Sequence, residues 1–312
     1  MSSASTLETT QPFGIHSLDH FDMAVPDLDE AQRFFERFGL DVRRAGQGLE
    51  LRAFGDEHVW ADLIQGPRKK LLAVRFGAFE RDLAALAERL ADFRIDPKPG
   101  SNGVWARTPD GLTIEIAAVA KTSPDAKVSF QIAAPYTDER GCGPRSKAAQ
   151  VRPRRLAHLA VFTADVPTAL TFFTERLGLK LSDRSGDNVA FLHGPHGSDH
   201  HLIAIARSTG PGLHHSSWDV ASLAEVGLGA MQMAAAGYDQ GWGLGRHVLG
   251  SNYFHYVRDP WGSYAEYSAD MDYIPQGVAW PAEDHPGEDS RYQWGPPTPG
   301  DFGRNHEIEA GA

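Results

Sequence analysis

The sequence predicts an α+β protein of two domains, each a pair of βαβββ units, and three observations carry that expectation. The run Leu18-Asp19-His20-Phe21-Asp22-Met23-Ala24-Val25 leads into a helical pattern from Glu30 to Phe38 that stops at Gly39. The same order recurs as Leu156-Ala157-His158-Leu159-Ala160-Val161-Phe162-Thr163, a helical run through Phe172, Phe173 and Leu177, and a stop at Gly178. Each half then repeats a shorter strand–helix–strands order, which makes four units in two pairs.

The first domain is read over 15–120, after an N-terminal tail of 1–14. Asp27 and Asp29 precede its first helix, and Gly39-Leu40 punctuates the end, where glycine tolerates a left-handed backbone. Its second unit comprises Leu71 to Phe76, a helix near Phe79 to Leu90, then Val104 to Arg107 and Leu112 to Ala117. A linker covers 121–152. The second domain covers 153–270: strands such as Val189 to Leu192 and His201 to Ile205 follow its first helix. Leu213 to Val220, a helix near Ser222 to Ala236, Tyr253 to Val257 and Tyr264 to Tyr267 form its last unit. Residues 271–312 form a Pro/Gly-rich lid and tail whose aromatics Trp280, Tyr292, Trp294 and Phe302 suggest that part of it packs down.

Composition excludes several classes of function. With 41% hydrophobic and 23% charged residues over 312 positions, the chain suits two globular domains rather than a disordered polymer. No apolar run approaches the roughly 20 residues that span a bilayer. Met1 to Gln11 lacks the basic start and apolar centre of a signal peptide. The single cysteine, Cys142, leaves no internal disulfide framework and fits a reducing compartment, so a cytoplasmic location is expected. A net charge of −11 argues against nucleic acid as a partner; the basic stretch Arg145 to Arg155 reads as a solvated connection. Fourteen histidines are many for this length, and histidine is both a common metal ligand and the usual acid/base near neutral pH.

Three side chains stand at equivalent places in the repeat. His158 lies in the first strand of the third unit, His215 in the first strand of the fourth, and Glu266 in the last strand of the fourth. If paired units curl into one open barrel, these converge, and two imidazoles with one carboxylate form the facial triad of non-heme Fe(II) oxygenases. The first domain has His20 and Glu115 at matching places, but the position matching His215 falls at or near Leu72. A metal is therefore expected in the second domain alone, with His20 and Glu115 bonded to each other.

On these residues the chain resembles a type I extradiol dioxygenase of the vicinal oxygen chelate superfamily. The motifs that carry the likeness are Leu156-Ala157-His158, Gly212-Leu213-His214-His215-Ser216-Ser217-Trp218 and Tyr264-Ala265-Glu266-Tyr267. The resemblance implies meta-cleavage of a catecholic substrate by O2 in aromatic catabolism, with Fe(II) as cofactor and Mn(II) possible. It carries His215 over as the ligand, leaving His214 on the opposite face of its strand. It also makes His201, fourteen residues before His215, the acid/base, and His247 and Tyr256 the groups that hydrogen-bond the substrate oxygens. The alternation of the strand puts His200 on the other face, as a structural residue. Arg291-Tyr292-Gln293-Trp294-Gly295-Pro296-Pro297 resembles the C-terminal lid of homoprotocatechuate 2,3-dioxygenases, where an arginine matched by Arg291 holds a substrate carboxylate.

Two departures bear on the substrate. Trp242 stands where a second arginine completes that carboxylate clamp, and His193 stands where those relatives carry tryptophan. A desolvated carboxylate needs paired donors, so Trp242 points to an apolar or aryl substituent, with Trp242, Arg291 and His193 as candidate substrate contacts. A homo-oligomer is the expected assembly. Two other classes share the architecture. A glyoxalase-like isomerase or lyase commonly takes its ligands across paired units and lacks the His201, His247 and Tyr256 set. A non-catalytic binding protein has no reason to keep three ligands.

Overall fold

In the computed structural model, residues 11–130, 138 and 140–309 are described. Parts of the expected N-terminal tail (1–10), linker (131–137 and 139) and C-terminal tail (310–312) lie outside the described residues.

The first unit runs β1 (Ile15–Val25), α1 (Leu28–Phe38), β2 (Asp41–Ala45), β3 (Gly48–Arg52) and β4 (Ala61–Gln65). Helix α1 begins two residues before the expected Glu30, because the Asp27 carboxylate accepts the amides of Asp29 and Glu30 and caps it. It buries Leu28, Ala31, Phe34, Phe35 and Phe38, a stripe at helical spacing. It ends where Gly39 takes φ 102°. The second unit, β5 (Lys70–Ala78), α2 (Glu80–Arg89), β6 (Val104–Arg107) and β7 (Thr113–Ala118), has the strands read for it and is one strand short of a full βαβββ unit. Its missing strand is reduced to a single bridge between Arg94 and Ala106. The segment Asp96-Pro97-Lys98-Pro99-Gly100 explains this, since two prolines withhold the amides that a ladder needs.

The third unit holds β8 (Arg155–Thr163), α3 (Val166–Glu175), β9 (Lys180–Ser185), β10 (Val189–His193), a two-residue β11 (Ser198–Asp199) and β12 (Ile203–Arg207). The fourth is complete: β13 (Gly212–Asp219), α4 (Leu223–Ala235), β14 (Gly241–Arg246), β15 (Tyr253–Arg258) and β16 (Tyr264–Ala269). The first domain forms a seven-stranded sheet ordered β2-β3-β4-β1-β5-β7-β6, and the second an eight-stranded sheet ordered β14-β15-β16-β13-β8-β12-β10-β9. In each, the first strands of the two units pair antiparallel at the centre, and each pairs in parallel with the last strand of its own unit. Side chains on one face of these central strands therefore meet on the axis of a half-closed barrel.

The domains share one apolar core. Phe38 stacks on Tyr267 at 4.0 Å, and the Tyr267 hydroxyl donates to the Phe38 carbonyl, so the end of α1 is riveted to β16. After β16, β17 (Tyr273–Ile274) pairs with β11. The chain then runs along both free edges of the eight-stranded sheet. It bonds β9 through Glu283 and His285, and β14 through Gln293 and Trp294. Covering both edges removes unpaired backbone groups and draws the barrel closed. A last turn, α5 (His306–Glu309), docks at the domain boundary: the Glu307 carboxylate accepts Leu71 N at 3.0 Å and Leu213 N at 2.9 Å and faces the Lys69 ammonium at 3.2 Å. Among the described residues, no helix is long and apolar enough to cross a membrane.

Candidate metal centre

The register of the central strands decides which side chains meet. Ser217 of β13 lies opposite His158 of β8 and beside Glu266 of β16. His215, two residues earlier on the same face, lies opposite Ala160. The three predicted ligands converge: His158 Nε2 and His215 Nε2 are 3.1 Å apart, and Glu266 Oε2 lies 3.4 and 3.6 Å from them. All three residues are buried, and Glu266 Oε2 has no hydrogen-bond partner. A bare, buried carboxylate oxygen facing two imidazole nitrogens is costly in any protein that leaves it so. The same atoms form an N2O donor set on one face of a cation, so the residues present fit Fe(II) or Mn(II). Burial opposes the charge on Glu266, but the imidazoles of His158 and His247 beside it hold its carboxyl well below the usual range. Burial, then the neighbouring His214, push His215 well below the ordinary histidine value, which keeps it neutral and able to ligate.

Strict alternation put His214 on the opposite face, and the structure corrects this. The β8–β13 ladder shifts register between Leu213 and His215, and the extra residue of a bulge re-aims its side chain. His214 therefore lines the same cavity as His215. Its Nδ1 meets His215 Nδ1 at 2.7 Å, while the Phe302 carbonyl accepts from His214. With that carbonyl accepting from Nε2, His214 Nδ1 must accept in turn. His215 then donates from Nδ1 and keeps its Nε2 lone pair for a metal. His158 Nδ1 has no such partner; its ring is held by packing on His201 at 4.1 Å.

The centre opens into a cavity of about 770 Å³ that brings together His201, His247, Tyr256, Trp242 and Arg291 as predicted. His247 Nδ1 donates to the Arg291 carbonyl at 2.6 Å, so its Nε2 accepts from the Tyr256 hydroxyl at 2.9 Å. Burial and the nearby Glu266 push the Tyr256 phenol well above its ordinary value, which keeps the hydroxyl protonated as a donor. Trp242 is buried under the tail: it donates to the Pro296 carbonyl at 2.8 Å and stacks on Tyr256 at 5.5 Å. His193 is not among the lining residues. It is bonded to Ser182 Oγ at 2.8 Å, and Phe191 of the same strand faces the cavity in its place.

Several lining groups were not singled out in the sequence. Asn252 Nδ2 donates to Glu266 Oε1 at 3.2 Å and orients the ligand carboxylate; it sits in the quoted Asn252-Tyr253-Phe254-His255-Tyr256 segment. Phe302 closes the aromatic wall, 4.7 Å from His214 and 4.8 Å from Trp242. Arg207 and Arg304 line the mouth with Arg291. No periodic signal marks these tail residues, because they lie in an irregular segment outside the repeat.

The first domain lacks the centre for a visible reason. By register, His20 lies opposite Arg75, Glu115 beside Arg75, and the counterpart of His215 is Ala73, next to Leu72. His20 and Glu115 do not bond each other, contrary to expectation: His20 bonds Asp19 at 2.9 Å, and Glu115 bonds Arg75 at 2.5 Å and Ser101. The guanidinium thus supplies the positive charge in that barrel. Among the described residues, His20, Asp22 and Asp62 form the other group with ligand-like spacing. Lys98 pairs with Asp22 there, and His20, raised to about 9 because hydrogen bonds to Asp19 and Asp22 outweigh burial, carries a proton rather than a free lone pair.

Residues 155–267 match the glyoxalase/bleomycin resistance protein/dioxygenase superfamily. The chain is 51% identical to metapyrocatechase 2 of Cupriavidus necator, over 94% of this chain and 93% of that protein. It superposes on a Mn(II)-bound glyoxalase from Novosphingobium aromaticivorans with a TM-score of 0.73 at 25% identity, covering 92% of this chain and 95% of the other. An extradiol ring-cleaving dioxygenase from B. fuscum gives a TM-score of 0.74 at 21% identity, covering 94% and 83%, a likeness of fold alone.

Proposed function

Because the chain belongs to the extradiol catechol dioxygenases of the glyoxalase/bleomycin resistance protein/dioxygenase superfamily, we propose that His158, His215 and Glu266 hold Fe(II) and that His201, His247 and Tyr256 serve a catechol bound beside it. The protein opens a catecholic ring by meta-cleavage with O2. The observation that carries the assignment of residues is the convergence of three ligand atoms, one of them a bare buried carboxylate oxygen, under a cavity that also presents those three side chains.

When bound, a redox-capable ion supplies the path between triplet oxygen and a singlet catechol by holding both reactants at adjacent positions. Fe(II) is our reading, and Mn(II) suits the same N2O set. The side chains do the rest. His201, neutral because burial and then the His158 ring hold it well below the ordinary histidine value, accepts a proton from a catechol hydroxyl and returns it later in the cycle. The Tyr256 hydroxyl, its proton directed to His247 Nε2, offers its lone pairs to a catechol hydroxyl and so orients the substrate. Asn252 keeps Glu266 Oε1 occupied, so Oε2 remains for the metal. Phe162, Phe191, Trp242, Leu249 and Phe302 exclude water.

The apolar wall around Trp242 supports a substrate whose substituent is alkyl or aryl. Arg291, Arg207 and Arg304 are exposed at the mouth, where solvent weakens their pull. A cytoplasmic location and assembly as a homo-oligomer belong to the same reading. The test is oxygen uptake and ring-fission absorbance when ferrous protein meets a panel of catechols, with His215→Ala as control. Turnover of thiol adducts without oxygen uptake would favour a glyoxalase instead.

A further inference from the structure

The bend between β11 and β12 that carries His201 also carries a second histidine, which points away from the cavity and into the protein interior. His200 is fully buried. Its Nε2 lies 2.8 Å from Asp183 Oδ2, and its Nδ1 lies 3.0 Å from His201 Nδ1. Asp183 Oδ1 accepts the amide of Glu283 at 2.8 Å, and His285 stands 3.6 Å away. Burial opposes ionisation of Asp183, but hydrogen bonds from His200 and the Glu283 amide hold it below the usual carboxylate range. Trp280 lies edge-on to His200 at 5.5 Å, so the tail roofs the pair.

The backbone is built around the same pair. His200 N donates to the Asp272 carbonyl, and Asp272 N donates to the Gly250 carbonyl. Gly250 has φ 88°, and a Cβ there would stand 3.3 Å from His201 Cε1 and 3.4 Å from His200 Nδ1. A larger residue would press on both rings.

Directionality follows from the donor inventory. A carboxylate only accepts, so His200 donates from Nε2. With a single proton on its ring, His200 keeps a lone pair at Nδ1, and His201 must donate to it from its own Nδ1. That leaves Nε2, across the His201 ring, as the unprotonated nitrogen. We propose that Asp183 and His200 are positioning residues that fix the tautomer of His201, so that its basic nitrogen is the one offered to substrate. His201 Nε2 gains the proton that a catechol hydroxyl loses, and no other bond changes. The inference rests on His201 acting as the acid/base.

The isosteric Asp183→Asn variant tests it. An amide nitrogen facing His200 Nε2 reverses the chain: His200 donates from Nδ1, and His201 is left with its proton on the cavity side. A wrong tautomer costs about 10²–10⁴ in kcat, with KM for catechol and bound metal unchanged. His200→Asn keeps an amide oxygen near the Nδ1 position and should lose no more than about tenfold, the scale of one net hydrogen bond. His200→Leu removes the acceptor and should fall with Asp183→Asn. A merely structural role predicts the reverse order, with Asp183→Asn harmless and both His200 variants impaired and metal-poor. His201→Phe separates the two readings. If it is slow while Asp183→Asn turns over normally, the tautomer role is refuted. If His201→Phe itself is unimpaired, the acid/base assignment falls, and this inference with it.

Discussion

Replacing Glu307 with Ala should loosen the tail and the active site together. The Glu307 carboxylate is buried and serves three groups: Leu71 N of β5, Leu213 N of β13 and the Lys69 ammonium. Lys69 is itself buried, with Leu213 O and Ser263 Oγ as its other partners. Removing one partner of a buried ion pair costs about 3–5 kcal/mol, because the other charge stays desolvated. Water entering beneath a lifted tail caps the loss near that figure. At about 2 °C per kcal/mol for a chain of this size, the melting temperature should fall by about 6–10 °C. The same tail supplies the Phe302 wall and the carbonyl facing His214, so KM for catechol should rise by about tenfold while kcat falls less; that KM change is about 1.4 kcal/mol of binding. Differential scanning calorimetry and steady-state oxygen uptake measure both. Glu307→Gln, which keeps an acceptor oxygen, should lie between. A Glu307→Ala protein that melts within about 2 °C of the parent would refute the account of the tail as a buried ionic anchor.

Other outcomes follow from the same geometry. His215→Ala or Glu266→Ala should abolish bound iron, whereas His20→Ala should leave metal content near that of the parent; equal loss from His20→Ala would overturn the assignment to the second domain. His20 is raised from 6.5 to about 9 in the fold, so its contribution to stability is complete below pH 6.5 and disappears as pH rises through 9. The melting-temperature gap between the parent and His20→Gln should therefore shrink between about pH 6 and about pH 10, and a constant gap would refute the charged pairing. In kcat/KM, 4-methylcatechol and 2,3-dihydroxybiphenyl should exceed 3,4-dihydroxyphenylacetate. The opposite ranking would mean that Arg207 or Arg304 completes a carboxylate clamp with Arg291.

The repeat made the candidate ligands legible in the sequence. His158, His215 and Glu266 occupy corresponding strand positions of the repeat, which nominates the set once paired units curl into one barrel, while the choice of His215 over His214 rests on the resemblance. The limits of that reasoning are equally physical. One bulged residue carried His214 into the cavity against the alternation, and no pattern announces a bulge. Arg75 was invisible as the partner of Glu115, because cross-strand neighbours depend on register. The tail contacts of Phe302, Arg304 and Glu307 come from an irregular segment that docks by side chains far along the sequence from their partners, which leaves no spacing to read. His200 was read as a structural residue facing away from the site, but its partner Asp183 escaped, because a buried polar residue looks like any other until its cross-sheet partner is known.

The arginine-filled barrel of the first domain also reads as a design template. Its counterpart of the candidate centre differs at three register positions: Ala73 stands for His215, Arg75 for Ser217 and Asp22 for Ala160. The double substitution Ala73→His with Arg75→Ser would set a second imidazole opposite Asp22, free Glu115, and vacate the space of the guanidinium. His20 would then have to surrender a proton held with a pKa of about 9, a penalty of about a hundredfold in apparent metal affinity at pH 7. Loading such a variant with Zn(II) near pH 9 should raise the metal count per chain by one, turning a duplicated scaffold into a two-centre protein.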